Sequence, residues 1–170
     1  MLKALRDVIK SLYYPLQSQG NWNSVFIDYE TPHVERIWMQ LDKYRVYLHK
    51  IHPCTEAFYH PHPWPSAMLI CEGEYESYIG SEDVKTGPIY LPQWSAYQMT
   101  DPKEWHSVSP IKNPCVTIMI TGTPYGDNKA KPTKTHRALT KQEFDPIFNY
   151  FASSENRVKM LGVLDKYLGT

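Results

Sequence analysis

The sequence predicts a mainly β, β-rich α+β fold: one antiparallel β-barrel or sandwich with helices at both ends of the chain. Three observations predict it. Between Asn21 and Gly122, short runs rich in Val, Ile, Tyr, Phe and Trp alternate with Asp, Gly, Pro and Asn, the pattern of many short strands joined by turns. Both ends instead repeat apolar residues at helical spacing. The chain has 170 residues, which suits one domain, since domains run to about 100–200 residues. A single domain over 1–170 is therefore expected.

Each element follows from its residues. Over 2–14, Leu2, Leu5, Ile9, Leu12 and Tyr13 recur on one helical face, with Lys3, Arg6, Asp7 and Lys10 on the other. Pro15 and Gly20 end this helix. Strand-like runs lie near 24–29, 34–41, 44–52, 55–62, 67–79, 88–91, 95–99, 105–109 and 115–121, within a barrel over 22–122. Asp42-Lys43 and Gly80-Ser81-Glu82-Asp83 read as hairpin turns. The polar, Pro- and Gly-containing stretch 123–138 reads as a loop. Helices are expected over 140–168. Thr140-Lys141-Gln142-Glu143 is a capping box, and Phe144, Ile147, Phe148 and Phe151 form the stripe behind it. Ser153-Ser154 break that helix. Val158, Leu161, Leu164 and Leu168 mark a last one, stopped by Gly169.

Composition excludes several function classes. Lys plus Arg and Asp plus Glu both total 18, so the formal net charge is zero. A nucleic-acid groove or an anionic membrane surface asks for a surplus of positive charge, so neither is expected as a partner. The longest apolar run is Ala67-Met68-Leu69-Ile70-Cys71, far short of the ~20 residues of a spanning helix. The N-terminus mixes charge into every turn and does not read as a secretory signal. The three cysteines, Cys54, Cys71 and Cys115, form no C-x-x-C pair. They read as reduced thiols of a cytoplasmic protein rather than as a thiolate zinc site or disulfide framework.

Chemistry concentrates in Phe58-Tyr59-His60-Pro61-His62-Pro63-Trp64-Pro65-Ser66. In an extended chain, residues two apart share a face, so His60, His62 and Trp64 point one way. Pro61, Pro63 and Pro65 fill the alternate positions. They remove the N–H donors of one lateral edge and hold the backbone extended. Two imidazoles on a stiff segment suit a metal, because less ordering entropy remains to be lost. The bland reading is a pair of hydrogen-bonded histidines in a Pro-rich loop. A catalytic metal typically takes about three protein ligands and keeps an open position. His106, in Glu104-Trp105-His106-Ser107-Val108, is the best third ligand. Its own bland reading is a buried strand histidine bonded to a carbonyl.

These residues give the chain a resemblance to the cupin superfamily. That family's first motif is G-x5-H-x-H-x3,4-E-x6-G and its second is G-x5-P-x-G-x2-H-x3-N. His60 and His62 match the paired histidines, Gly73 the closing glycine and His106 the second-motif histidine. Cys54 stands in the opening glycine slot, and Ser66 or Ala67 in the glutamate slot. The second motif's other slots hold Ser95, Asp101, Lys103 and Pro110, with Pro102 one position from the proline slot. The resemblance covers roughly 44–122. It implies a cupin-like barrel, or double-stranded β-helix, and a homodimer.

It also implies one divalent metal on His60, His62 and His106. Fe(II) is preferred, with Zn, Mn or Ni as alternatives. Glu56 shares the parity of the histidine pair and is the candidate fourth ligand; Glu72 and Glu74 are weaker ones. Three neutral imidazoles leave the metal's charge uncompensated, which favours an anionic small-molecule substrate. Trp64, Arg45 and Tyr97 are the candidate pocket residues. Arg36, like Arg45, lies in an early strand and could hold a substrate carboxylate by a bidentate contact, although for both arginines a solvated strand position is the commoner role. Trp105 should face away from the site. His33, His49, His52 and His136 are assigned structural or exposed roles.

The expected function is a metal-dependent enzyme acting on a small anionic or aromatic molecule, with a mononuclear Fe(II) dioxygenase-like site. One alternative is a non-catalytic cupin ligand-binding module. Another is a metal-free isomerase or epimerase whose histidine base leans on a carboxylate such as Glu56.

Overall fold

A computed structural model describes residues 1–28, 30–126 and 136–170. In chain order the elements are α1 (Leu2–Ser11), β1 (Asn23–Ile27), β2 (Val34–Leu41), β3 (Tyr44–Ile51), β4 (His60–Pro61), β5 (Ser66–Glu72), β6 (Tyr75–Gly80), β7 (Lys85–Leu91), β8 (Ala96–Met99), β9 (Trp105–His106), β10 (Ser109–Pro110), β11 (Cys115–Thr121), α2 (Lys141–Ala152) and α3 (Ser154–Leu168). The fold is β-rich α+β and cupin-like, as the sequence predicts. Among the described residues, no helix is long and apolar enough to cross a membrane. Residues 127–135 of the loop expected over 123–138 lie outside the described residues, as does Tyr29 at the end of the first expected strand.

Several boundaries differ from expectation, each for a local reason. The first helix stops at Ser11, and the chain tightens into a 3-10 turn over Pro15–Gln17; Pro15 has no N–H to continue the ladder. The run 67–79 is two strands, divided at Gly73, whose φ is +76°. A Cβ there would stand 2.9 Å from Cys115 Sγ and 3.0 Å from the Pro114 carbonyl oxygen, so a side chain is excluded by space as well as by φ. The run 55–62 shrinks to the two-residue β4: the Phe58 N–H donates to the Thr31 carbonyl at 2.8 Å instead of to a ladder, and Pro61 and the following Pro63 have no N–H to extend the pairing. The run 105–109 divides into β9 and β10.

The C-terminal helices sit as predicted, with one rotation. Thr140 and Glu143 form the capping box of α2. Ile147, Phe148 and Phe151 are buried. In α3, however, Val158 is exposed and Arg157, Met160 and Leu164 face inward. Arg157 Nη1 donates to the carbonyls of Phe151, at 3.2 Å, and Ala152, at 2.7 Å. It thereby satisfies acceptors that end α2 without a partner, and this turns the face of α3.

Among the described residues, eleven strands form two antiparallel sheets. The larger has the order β1-β2-β3-β11-β5-β8; the smaller runs β10-β6-β9-β4, with β7 added on β6. Strand alternation gives the larger sheet two different faces. Ile37, Val46, Leu48, Ala67, Leu69, Ile118 and Ile120 pack outward against α1, α2 and α3. Tyr47, Ile51, Met68, Ile70 and Met119 point inward, toward Tyr75 and Val108. The β5 strand is buried on both faces, which explains why Ala67–Cys71 reads as one unbroken apolar run. The histidines sit between the sheets.

Candidate metal centre

The pairing of β4 with β9 builds the site. In that ladder His60 lies directly opposite His106. β9 is held on its other side by β6, where His106 pairs with Ile79, so His106 is on an interior strand. His62 follows β4 and is buried. Nitrogen atoms of the three rings lie within 4.8 Å of one another. That is the scale of a single coordination sphere, about 4 Å across for imidazole ligands. The ring centroids of His62 and His106 are 4.4 Å apart, and those of His60 and His106 4.9 Å.

Hydrogen bonds orient the rings. His60 Nδ1 lies 3.0 Å from the Phe58 carbonyl oxygen. A carbonyl only accepts, so Nδ1 carries the proton and Nε2 keeps its lone pair. His62 Nδ1 is 3.0 Å from Ser66 Oγ. Ser66, which stands in the cupin glutamate slot, therefore braces a histidine instead of joining the cluster. His106 Nδ1 is buried with no hydrogen-bond partner, a state that costs about 1–3 kcal/mol unless something binds there. Burial holds all three imidazoles neutral. It lowers His60, pushes His62 down to about 3 with help from His60 and Arg36, and lowers His106 well below the usual range together with its two neighbours. Three neutral, converging imidazoles with an orphaned buried nitrogen are a donor set that fits a divalent metal.

The cluster forms one wall of a cavity of about 250 Å³ between the sheets. The opposite wall carries Arg36 and His49, which face each other across β2 and β3. Arg36 Nε donates to His49 Nε2 at 2.9 Å. His49 Nδ1 lies 3.3 Å from Thr117 Oγ1 on β11. Burial, then the neighbouring Arg36 and His62, hold His49 well below its usual pKa.

The structure gathers some of the predicted residues and separates others. His60, His62 and His106 come together. Glu56 does not join them: it is exposed and lines other cavities. The regular strand that would have put it on the histidine face is not formed there. Among the described residues, no carboxylate belongs to the cluster; Glu72 is exposed and Glu74 accepts from the Tyr90 hydroxyl. Trp64 lies outside the residues lining the cavity, because the chain bends after Pro61 and the alternation is lost. Arg45 is exposed and stacks on Trp38, roughly 13 Å along the strand from His49 at about 3.3 Å per residue. Tyr97 is one layer back, its ring 6.5 Å from that of His106. Its hydroxyl accepts from Tyr75 at 2.7 Å.

Two further residues line this cavity: His49, read from the sequence as structural, and Arg36, read as a possible carboxylate holder with a solvated position as the commoner role. A signal for them exists. Arg36 and His49 each lie six positions from the predicted turn Asp42-Lys43. A two-residue hairpin therefore pairs them, and the alternation of Val46 and Leu48 puts His49 on the other face.

No protein-family model matches the chain, and no curated protein matches it by sequence. Solved structures do. Hydroxypropylphosphonic acid epoxidase from S. wedmorenis is similar with a TM-score of 0.51 at 11% identity, over 62% of this chain and 57% of that one. FeII HppE in complex with substrate is similar with a TM-score of 0.52 at 10% identity, over 62% and 58%. This chain thus spans less than two thirds of the length of either neighbour. At such identities the likeness is one of fold, and the fold shared is the β-rich, two-sheet architecture described above.

Proposed function

We propose that this chain is a metal-dependent cupin-type enzyme with a mononuclear, Fe(II) dioxygenase-like site on His60, His62 and His106, acting on a small anionic or aromatic molecule. The observation that carries the reading is the convergence of three neutral imidazoles, with no carboxylate among the described residues joining them, on one wall of a cavity between the sheets. A fold neighbour is an FeII protein that binds a substrate, which agrees with this choice of metal. Bound iron would supply dioxygen activation, and the protein would supply position and a dry setting.

The chain's own residues do the rest. The Phe58 carbonyl fixes the tautomer and tilt of His60, and the Ser66 hydroxyl holds the tilt of His62, as partners behind metal ligands do. Ile51, Met68, Val108 and Met119 give the cavity an apolar lining beside the cluster. Phe58 stacks on His60 with the rings 5.4 Å apart and nearly parallel, shielding the outer side of that ligand.

The test is metal content by mass spectrometry on protein purified without chelators or a polyhistidine tag, beside His60→Ala/His62→Ala. About one iron per chain, lost in the variant, together with dioxygen uptake on addition of substrate candidates, is the expected result. Zinc, manganese or nickel at the same stoichiometry would move the reading to non-redox chemistry. No metal in either sample, even after anaerobic loading, would overturn it in favour of a binding module.

A further inference from the structure

Two thioethers line the cavity together with the histidine cluster, Met68 and Met119. They stand directly opposite each other across β5 and β11, and each is 5% exposed. Burial and strand position are thus matched, and the difference lies at the sulfur. The Tyr75 hydroxyl donates to the Tyr97 hydroxyl at 2.7 Å, and Tyr97 donates its own proton to Met68 Sδ at 3.3 Å. The Tyr75 oxygen stands 3.4 Å from the same sulfur. Met68 Sδ is therefore fixed, with a lone pair engaged and two buried phenols packed against it. Among the described residues, no hydrogen-bond donor is placed on Met119 Sδ.

A free thioether lone pair attacks peroxides and becomes a sulfoxide. In bulk solution the sulfurs that meet the oxidant first are the part-exposed ones, Met1 and Met39. Met99 and Met160 are buried and do not line the cavity. A peroxide inside the cavity meets a different order. The chamber of about 250 Å³ equals about eight water-sized groups, so a peroxide beside the histidines is roughly one or two molecular widths from the thioethers in its wall. Of these, Met119 is the one whose sulfur is unengaged.

We propose that Met119 is an oxidation site of this chain, converted to the sulfoxide by hydrogen peroxide in the cavity, and that the Tyr75–Tyr97 pair spares Met68. One peroxide oxygen passes to Met119 Sδ: the O–O bond breaks, the S–O bond forms, and the thioether gives up two electrons. The proton of the transferred oxygen leaves with the other, as water. The inference rests on the proposed metal centre, which when occupied polarises the peroxide. The product is a polar group in an apolar wall beside the histidines, so the modification changes what the cavity accepts.

The test is peptide mapping by mass spectrometry after an equimolar dose of hydrogen peroxide, on metal-free and anaerobically Fe(II)-loaded protein, with iron stoichiometry measured on the same samples. With iron bound, sulfoxide is expected at Met119 about tenfold or more above Met68 and Met39, the low end of what confining two reactants together achieves. In metal-free protein Met1 and Met39 should lead instead. Met119→Leu keeps the volume nearly unchanged and is expected to leave Met68 unoxidised. Tyr75→Phe/Tyr97→Phe, in protein that still melts cooperatively, is expected to bring Met68 level with Met119. Sulfoxide at Met68 in Met119→Leu, or a Met68 still spared in the folded tyrosine variant, overturns the role given to the tyrosines. If one iron per chain is bound and oxidation still follows exposure, the proposal fails and the metal centre stands. If no iron binds, the metal centre fails and the proposal with it.

Discussion

The two faces of the larger sheet are made by the same strands and do opposite work. On β3, Val46 and Leu48 face the helices and are fully buried among Ile, Leu, Phe and Met side chains. Tyr47 and His49, their neighbours in sequence, face the smaller sheet, where the cavity and the histidines lie. On β11, Ile118 and Ile120 alternate in the same way with Thr117 and Met119. The outer face is apolar and packed against the helices. The inner face carries buried polar groups, each needing a partner. The contrast teaches that stability and chemistry are divided by residue parity within one strand, so a step of one residue changes which property a substitution touches.

The largest break in that division comes from the inner face. His60→Ala/His62→Ala is expected to abolish metal binding while the far-ultraviolet circular dichroism and the melting transition stay near wild type, since neither ring belongs to the helix-packed core. Loss of folding instead of loss of metal would show that the two faces are not separable. Next comes Leu48→Ala on the outer face. It removes a fully buried side chain and is expected to cost about 2–5 kcal/mol in denaturant unfolding. Metal stoichiometry in the fraction that remains folded should not change, although residue 48 adjoins His49.

Ser66→Ala is a finer cut. It deletes the hydroxyl that braces His62 but no ligand, and metal affinity should fall about tenfold or somewhat more, read by competition with a chromophoric chelator. Unchanged affinity would leave Ser66 a packing residue only. The smallest effect belongs to the start of α2. The Arg137 guanidinium, followed by the Thr140 backbone, holds the Glu143 carboxyl down at about 2 against an ordinary 4.5. A carboxylate lowered on folding stabilises above its unfolded pKa, and that contribution is lost as pH falls from 4.5 through about 2. Glu143→Gln should therefore flatten this part of the acid unfolding curve and leave metal binding at neutral pH untouched. An acid limb with the same slope would contradict the assignment.

Much of this division was legible in the sequence, and the losses have physical causes. The helices, the capping box, the hairpin turn at Asp42-Lys43 and the histidine trio follow from spacing and residue type. Glu56 and Trp64 were misplaced because parity holds only along a regular strand, and the prolines at 61, 63 and 65 leave just His60–Pro61 in one. Arg45 has the inner-face parity but the wrong end of β3: alternation assigns a face and says nothing about position along it. Arg36 was one of two arginines offered as a carboxylate holder, with solvent as its commoner role, and His49 was assigned to structure, because each was weighed alone. Their meaning lies in the pairing across the hairpin, which one residue's surroundings do not carry. Val158 was placed inward by its apolarity, whereas the need of α2 for a cap from Arg157 set the face of α3.

The central claim is that His60, His62 and His106 make one metal centre between the sheets. Titration with Co(II), followed by visible absorption, tests it most directly, in the wild type and in His106→Ala. The account predicts ligand-field bands that saturate at one cobalt per chain and disappear in the variant. Bands that persist unchanged in His106→Ala, or no saturable spectrum in the wild type, would contradict it.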